Sequence, residues 1–111
     1  MLKIDRVSLY SDNSVLLNEI SLECCTGETT VIIGGSGSGK SLLLKTAAFI
    51  RPPYTGRVYW EGEDLFKISE ERLTRMRSRW GFMFQDSALW ANMSAYENLA
   101  LPLRFHNPAL S

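Results

Sequence analysis

Three features of the sequence predict an α/β fold. The continuous run Thr29-Thr30-Val31-Ile32-Ile33 is β-branched, as suits a strand buried on both faces of a parallel sheet. It runs into the glycine-rich turn Gly34 to Gly39 and leaves through Lys40-Ser41-Leu42-Leu43-Leu44, where apolar spacing turns helical. Upstream, Ile20, Leu22 and Cys24 alternate with Ser21, Glu23 and Cys25, the period-2 pattern of a strand with one wet side. An antiparallel region therefore precedes a strand–turn–helix unit.

The elements follow in order. Leu2 to Tyr10 mixes apolar and polar residues in irregular alternation and predicts a half-exposed strand, closed by the turn signal Asp12-Asn13-Ser14. Thr26-Gly27-Glu28 turns the chain into the β-branched run. A helix is predicted from about Lys40 to Phe49, with Leu43, Ala47 and Ile50 on one face, stopped by Pro52-Pro53-Tyr54-Thr55-Gly56. Arg57 to Trp60 is a short strand ended by Gly62. Ser69 caps the next helix, which opens on Glu70 and Glu71 and closes on Arg75, Arg77 and Arg79, an order that complements the helix dipole. That order accounts for the arginines as a solvated helix end, in preference to a phosphate or nucleic-acid site. Trp80 to Phe84 predicts a second buried strand, and Asn92 to Ser94 a cap for a last helix through Leu101, ended by Pro102.

Composition narrows the functional classes. At 111 residues and 45% hydrophobic content the chain forms one small domain with a core rather than a disordered segment. Twelve basic and twelve acidic residues cancel, removing the general electrostatic case for nucleic acid. No apolar run approaches the ~20 residues of a membrane span, and Met-Leu-Lys-Ile-Asp does not open a signal peptide. Cys24 and Cys25 are adjacent, without metal-ligand spacing, and His106 is far away in sequence; a reduced, cytosolic pair is expected.

The chemistry is concentrated in Gly34-Gly35-Ser36-Gly37-Ser38-Gly39-Lys40-Ser41. G-x-x-x-x-G-K-S between a strand and a helix is a phosphate-binding loop. Glycines let the backbone wrap closely around oxygens, and their N–H groups form a nest backed by the positive end of the helix. Lys40 is expected at the β- and γ-phosphates and the Ser41 hydroxyl on Mg²⁺. A flexible Gly/Ser linker has no reason to carry Lys-Ser or the apolar run before it. Gly34, Gly35, Ser36, Gly37, Ser38, Gly39, Lys40, Ser41 and Leu42 are the candidate nucleotide-binding set.

The residues after the loop select among the P-loop NTPases. Gly81-Phe82-Met83-Phe84-Gln85-Asp86 resembles the Q-loop of ABC-type ATPases, in which a hydrophobic strand delivers a glutamine to the γ-phosphate and Mg²⁺. An amide suits that place because its oxygen can ligate a metal or orient a water while its NH₂ donates elsewhere. Tyr10, ahead of Val15-Leu16-Leu17, stands where the family has its adenine-stacking aromatic. Pro53-x-x-Gly56-x-Val58 followed by Glu61-Gly62-Glu63-Asp64-Leu65 is similar to the family's antiparallel segment. The resemblance implies roles for Tyr10 and Val15 at the base and for Gln85 as catalytic and Mg²⁺-binding residue with Ser41, ATP and Mg²⁺ being the cofactors. Packing on the sheet is the plainer alternative for Tyr10, and a turn position for Gln85. Phe84-Gln85-Asp86-Ser87-Ala88-Leu89-Trp90 and Tyr96-Glu97-Asn98-Leu99-Ala100-Leu101-Pro102-Leu103-Arg104 look like the ATPases of Mce-type lipid transporters, although amino-acid and lipoprotein-export ATPases share much of both.

The resemblance implies an N-terminal portion of an ABC-type nucleotide-binding domain: residues 1–85 an antiparallel β subdomain with part of the parallel core sheet, and 86–111 the start of a helical subdomain. No LSGGQ-like signature, no apolar strand ending in Asp-Glu and no switch histidine occurs in the sequence. The chain is therefore expected to bind ATP without useful turnover and to match the front of a longer subunit. The expected partners are a membrane permease and a second ATP-binding subunit, with the chain in the cytoplasm at the inner face of the membrane. Trp90, Met93, Tyr96 and Phe105 are expected as the core of a small helical subdomain, rather than as a surface for the permease. A soluble P-loop kinase, or a module that binds nucleotide without hydrolysing it, are the alternatives from other classes.

Overall fold

A computed structural model describes residues 1–83 and 91–106. The chain divides into two compact units, Met1–Leu73 and Thr74–Ser111.

In the first unit, β1 (Leu2–Ser11), β2 (Ser14–Cys24), β3 (Thr55–Trp60) and β4 (Glu63–Asp64) form one antiparallel sheet in the order β2-β1-β3-β4. Two-residue turns set the register: Asp12-Asn13 closes Ser11 onto Ser14, and Glu61-Gly62, at φ 47° and 79°, closes Trp60 onto Glu63. Two successive positive φ values match the twist of the strands they join.

The irregular alternation of β1 has a local cause. Arg6 sits at φ 46° in a bulge, and Glu19 on β2 at φ 47°, so the inward side switches parity along both strands. Ile4 is buried before the bulge, Val7 and Leu9 after it. The amide N–H groups at both positions donate to hydroxyls of the neighbouring strand, Arg6 to Ser21 Oγ at 2.8 Å and Glu19 to Ser8 Oγ at 2.9 Å. Ser8 is only 1% exposed, and the bond satisfies its hydroxyl where water does not reach. Val58 joins Ile4, Val7, Leu9 and Leu17 in the core of this unit, with Leu65 and Leu73.

Helix α1 (Lys40–Ala47) starts from Gly39 in the left-handed region and buries Leu43, Thr46 and Ala47. It ends two residues before the expected Phe49. The Phe49 N–H donates to the Thr46 carbonyl (3.0 Å) and the Ile50 N–H to the Lys45 carbonyl (2.9 Å), a Schellman closure with Phe49 at φ 57°. Ile50, expected on the buried face, lies past this closure and is 49% exposed. Helix α2 (Glu70–Arg77) begins as expected at Ser69, whose Oγ accepts from the Arg72 N–H at 3.1 Å.

The second unit holds α3 (Ala95–His106), opened by a capping box in which the Ser94 N–H donates to Glu97 Oε2 and the Glu97 N–H to Ser94 Oγ. The helix continues through Pro102, where termination was expected. Proline removes one internal bond, and the helix-forming Ala100, Leu101, Leu103 and Arg104 around it carry the turn onward. Tyr96 and Phe105, expected in a core, are 73% and 77% exposed. Met93 is half-buried, and Trp90 lies outside the described residues.

The parallel part of the expected fold is not formed among the described residues. Residues 29–33 and 80–83 carry no strand, and Val31 and Ile33 are 72% and 90% exposed. A strand exists only with a neighbour to bond, and one that is apolar on both sides needs a covering layer on each. No described strand pairs with either segment, so their composition finds no ladder. Phe84 lies outside the described residues.

Candidate functional site

Residues 34–38 are exposed, and the loop is held by its own contacts. The Ser38 N–H donates to the Gly35 carbonyl (3.2 Å), and Gly37 and Gly39 stand at φ 78° and 94°, where a side chain is strained. Gly34 faces Ser38 so closely that a Cβ would come within 2.7 Å of its hydroxyl oxygen. Lys40, the first residue of α1, folds back across the turn. Its ammonium donates to the Gly34 carbonyl (2.6 Å), the Gly35 carbonyl (2.7 Å) and Ser38 Oγ (3.3 Å). Three donors meet three acceptors, so the single cation of the loop closes it from within. Ser41 is exposed on the first turn of α1, and Leu42 is half-buried.

The end of the β1–β2 hairpin lies against this loop. A Cβ on Gly39 would come within 3.0 Å of Leu17 Cδ2 and 3.3 Å of the Leu16 carbonyl oxygen. Val15, the residue before Leu16, pairs with Tyr10 across the hairpin. Both are exposed, Tyr10 by 43% and Val15 by 57%. The structure thus places Tyr10 and Val15 on the strand end that abuts the loop. It also supplies a neighbour that sequence reasoning missed. The Tyr54 ring meets Tyr10 at 5.7 Å between centroids and 79° between planes, and the Tyr54 N–H donates to the Ser8 carbonyl at 2.8 Å. No spacing in the sequence could have paired them, because Tyr54 follows Pro53 in what reads as a helix stop. Gln85 lies outside the described residues.

An exposed glycine-rich turn, a lysine ammonium and an exposed serine hydroxyl are the kind of donors that a polyphosphate requires, and an aromatic hairpin end beside them suits a base. The residues present fit a nucleotide. Among the described residues no group of three or more His, Cys, Asp and Glu could hold a metal ion. No described helix is long and apolar enough to cross a membrane.

Residues 17–109 match the model of the ABC transporter family. The chain is 36% identical over 94 residues to the probable ribonucleotide transport ATP-binding protein mkl of Mycobacterium leprae, covering 85% of this chain and 27% of that protein. It is 30% identical over 106 residues to the intermembrane phospholipid transport system ATP-binding protein MlaF of Haemophilus influenzae, covering 96% and 40%. The methionine import ATP-binding protein MetN 1 of Yersinia pestis bv. Antiqua is 35% identical over 111 aligned positions, covering 96% and 32%. The chain thus spans between about a quarter and two-fifths of the length of these relatives. Among solved structures, the ATP-binding cassette MJ0796 bound to ADP and Pi superposes with a TM-score of 0.82 at 32% identity, covering 95% of this chain and 47% of that one. The soluble-kinase alternative is not favoured by these matches. The chain belongs to the ABC transporter family and corresponds to the N-terminal portion of its nucleotide-binding domain.

Proposed function

We propose that this chain is the nucleotide-holding part of a transport ATPase, binding Mg-ATP at the Gly34–Leu42 loop without useful turnover of its own, within a longer subunit that couples ATP binding and hydrolysis to passage of a substrate through a membrane permease. The observation that carries the proposal is the closed, exposed loop of residues 34–38, onto which Lys40 folds back from the start of α1 to the Gly34 and Gly35 carbonyls and Ser38 Oγ. On binding, the Lys40 ammonium exchanges its loop carbonyls for phosphate oxygens, which bear full charge and hold it more strongly. Ser41 and Gln85 would hold Mg²⁺, and the ion would supply charge neutralisation at the β- and γ-phosphates. Tyr10 stacks on the base, with Val15 opposite it across the β1–β2 hairpin.

The permease and a second ATP-binding subunit are the proposed partners, and the inner face of the cell membrane the proposed location. For the cargo we favour lipid, on the segments 84–90 and 96–104 and on the relative whose name specifies phospholipid transport. Calorimetric titration with ATP, ADP and AMP tests the base assignment. Tyr10→Ala is expected to weaken all three by a similar factor, and Tyr10→Trp to preserve them. A loss confined to ATP would place Tyr10 at the phosphates and overturn the assignment.

A further inference from the structure

We infer that Tyr54 is a positioning residue for the nucleotide base, acting through Tyr10; the inference rests on the base-stacking role proposed for Tyr10. Tyr54 immediately precedes β3, the strand that pairs with β1, and the bond from its N–H to the Ser8 carbonyl fixes its backbone two residues from Tyr10. The two rings meet nearly at right angles. A ring in that arrangement buttresses one side of its neighbour and leaves the other open, and Tyr10 retains 43% of its surface. Without Tyr54, the Tyr10 side chain at the free end of a hairpin keeps its rotamer freedom and loses part of it only when a base arrives. With Tyr54, that ordering is present before binding, which is how preorganisation raises affinity without a new ligand contact.

A purely structural account of Tyr54 is weak, because the residue is 77% exposed and contributes little to the core. The pair also does not involve the phosphate loop, whose internal bonds are made by Gly34, Gly35, Ser38 and Lys40. The two subsites can therefore be read separately. A purine nucleotide engages both, and inorganic tripolyphosphate engages the loop alone.

The experiment is calorimetric titration of the 111-residue chain with ATP and with inorganic tripolyphosphate, for the unmodified chain, Tyr54→Ala, Tyr54→Phe and Tyr10→Ala. Tyr54→Ala is expected to weaken ATP about three- to tenfold, the range of one aromatic pair, with tripolyphosphate unchanged, and Tyr54→Phe to restore ATP binding because the ring remains. Unchanged ATP affinity in Tyr54→Ala, with a loss in Tyr10→Ala, would overturn the positioning role and leave the Tyr10 assignment standing. Unchanged ATP affinity in Tyr10→Ala would remove the base assignment itself. Equal loss of ATP and tripolyphosphate in Tyr54→Ala would show that Tyr54 acts on the fold, and would overturn the inference. Failure of Tyr54→Phe to restore binding would overturn it too, by assigning the effect to the hydroxyl.

Discussion

Gly56→Ala should be among the most damaging single-methyl additions in this chain. Gly56 stands at φ 88°, and a Cβ there would run into the Arg6 carbonyl oxygen and come within 2.6 Å of the Asp5 carbonyl oxygen. Those atoms belong to the β1 bulge, and the flanking pairs Asp5–Arg57 and Ser8–Thr55 leave the backbone no room to yield without parting β1 from β3. Gly62 is the internal reference: its φ is 79°, yet nothing lies within 4 Å of the Cβ position. Placing alanine in the left-handed region costs about 1–2 kcal/mol at either site. The gain from a stiffer unfolded chain, about 0.4–1 kcal/mol, is common to both and cancels in the difference. Only Gly56→Ala adds overpacking, worth about 1–3 kcal/mol. The two variants should therefore differ by about 2 kcal/mol, a separation of about 1 M in urea midpoint at a slope near 2 kcal/mol/M. Urea unfolding at low protein concentration, followed by tryptophan fluorescence, measures it. Midpoints that coincide would refute the argument, since the close approach would then carry no cost.

Two further perturbations isolate single effects. Phe49 holds the left-handed position of the α1 closure while its ring meets Phe66 edge-on at 5.0 Å, so strain and packing oppose each other there. Phe49→Ala and Phe49→Gly both lose the ring, but only glycine relieves the strain, and Phe49→Gly should be the more stable by about 0.5–1 kcal/mol in the same unfolding assay. Glu63 accepts hydrogen bonds from Arg72 (2.8 Å to Nη2), which hold its carboxyl below the ordinary value of 4.5. A depressed folded value means that the pair's stabilisation is complete above the ordinary value and is lost as pH falls through the folded one. Arg72→Met should therefore remove a stability decrement on the acid side of 4.5 and leave the slope near neutrality unchanged; an unaltered acid-side profile would assign that slope to other carboxylates.

Much of the antiparallel unit was legible because its signals are local. The alternation Ile20, Leu22, Cys24 appears as written, half-buried against exposed, and the Ser69 cap and the two-residue turns were marked by their residue types. The alternation of β1 read as irregular for a reason that periodicity cannot supply. A bulge at Arg6 switches the inward side, and its amide is satisfied by Ser21, fifteen residues away. Thr29–Ile33 shows the opposite failure. Its composition specifies a strand with two covered faces, but whether covering layers and paired neighbours exist is a property of the surroundings, and Ile33 at 90% exposure records their lack among the described residues. Pro102 was read as a stop because proline costs a helix one bond, yet a helix begun by the Ser94–Glu97 capping box continues past it. At the site, the turn that Lys40 closes follows from its glycines and its lysine, since its geometry is encoded in consecutive residues. The Tyr10–Tyr54 contact was not legible, because it depends on the register of β3 against β1.

The central claim is that the Gly34–Leu42 loop binds the polyphosphate of a nucleotide through Lys40. Its most direct test is calorimetric titration of the chain and of Lys40→Ala with Mg-ATP and with inorganic tripolyphosphate. Charge-assisted bonds are worth about 1.5–3 kcal/mol each, and even one such bond, net of the loop contacts that Lys40 gives up, corresponds to about a tenfold or larger change in affinity. Both ligands should weaken at least tenfold in Lys40→Ala, because the lost contacts are to phosphate. An affinity for Mg-ATP that Lys40→Ala leaves unchanged would contradict the account.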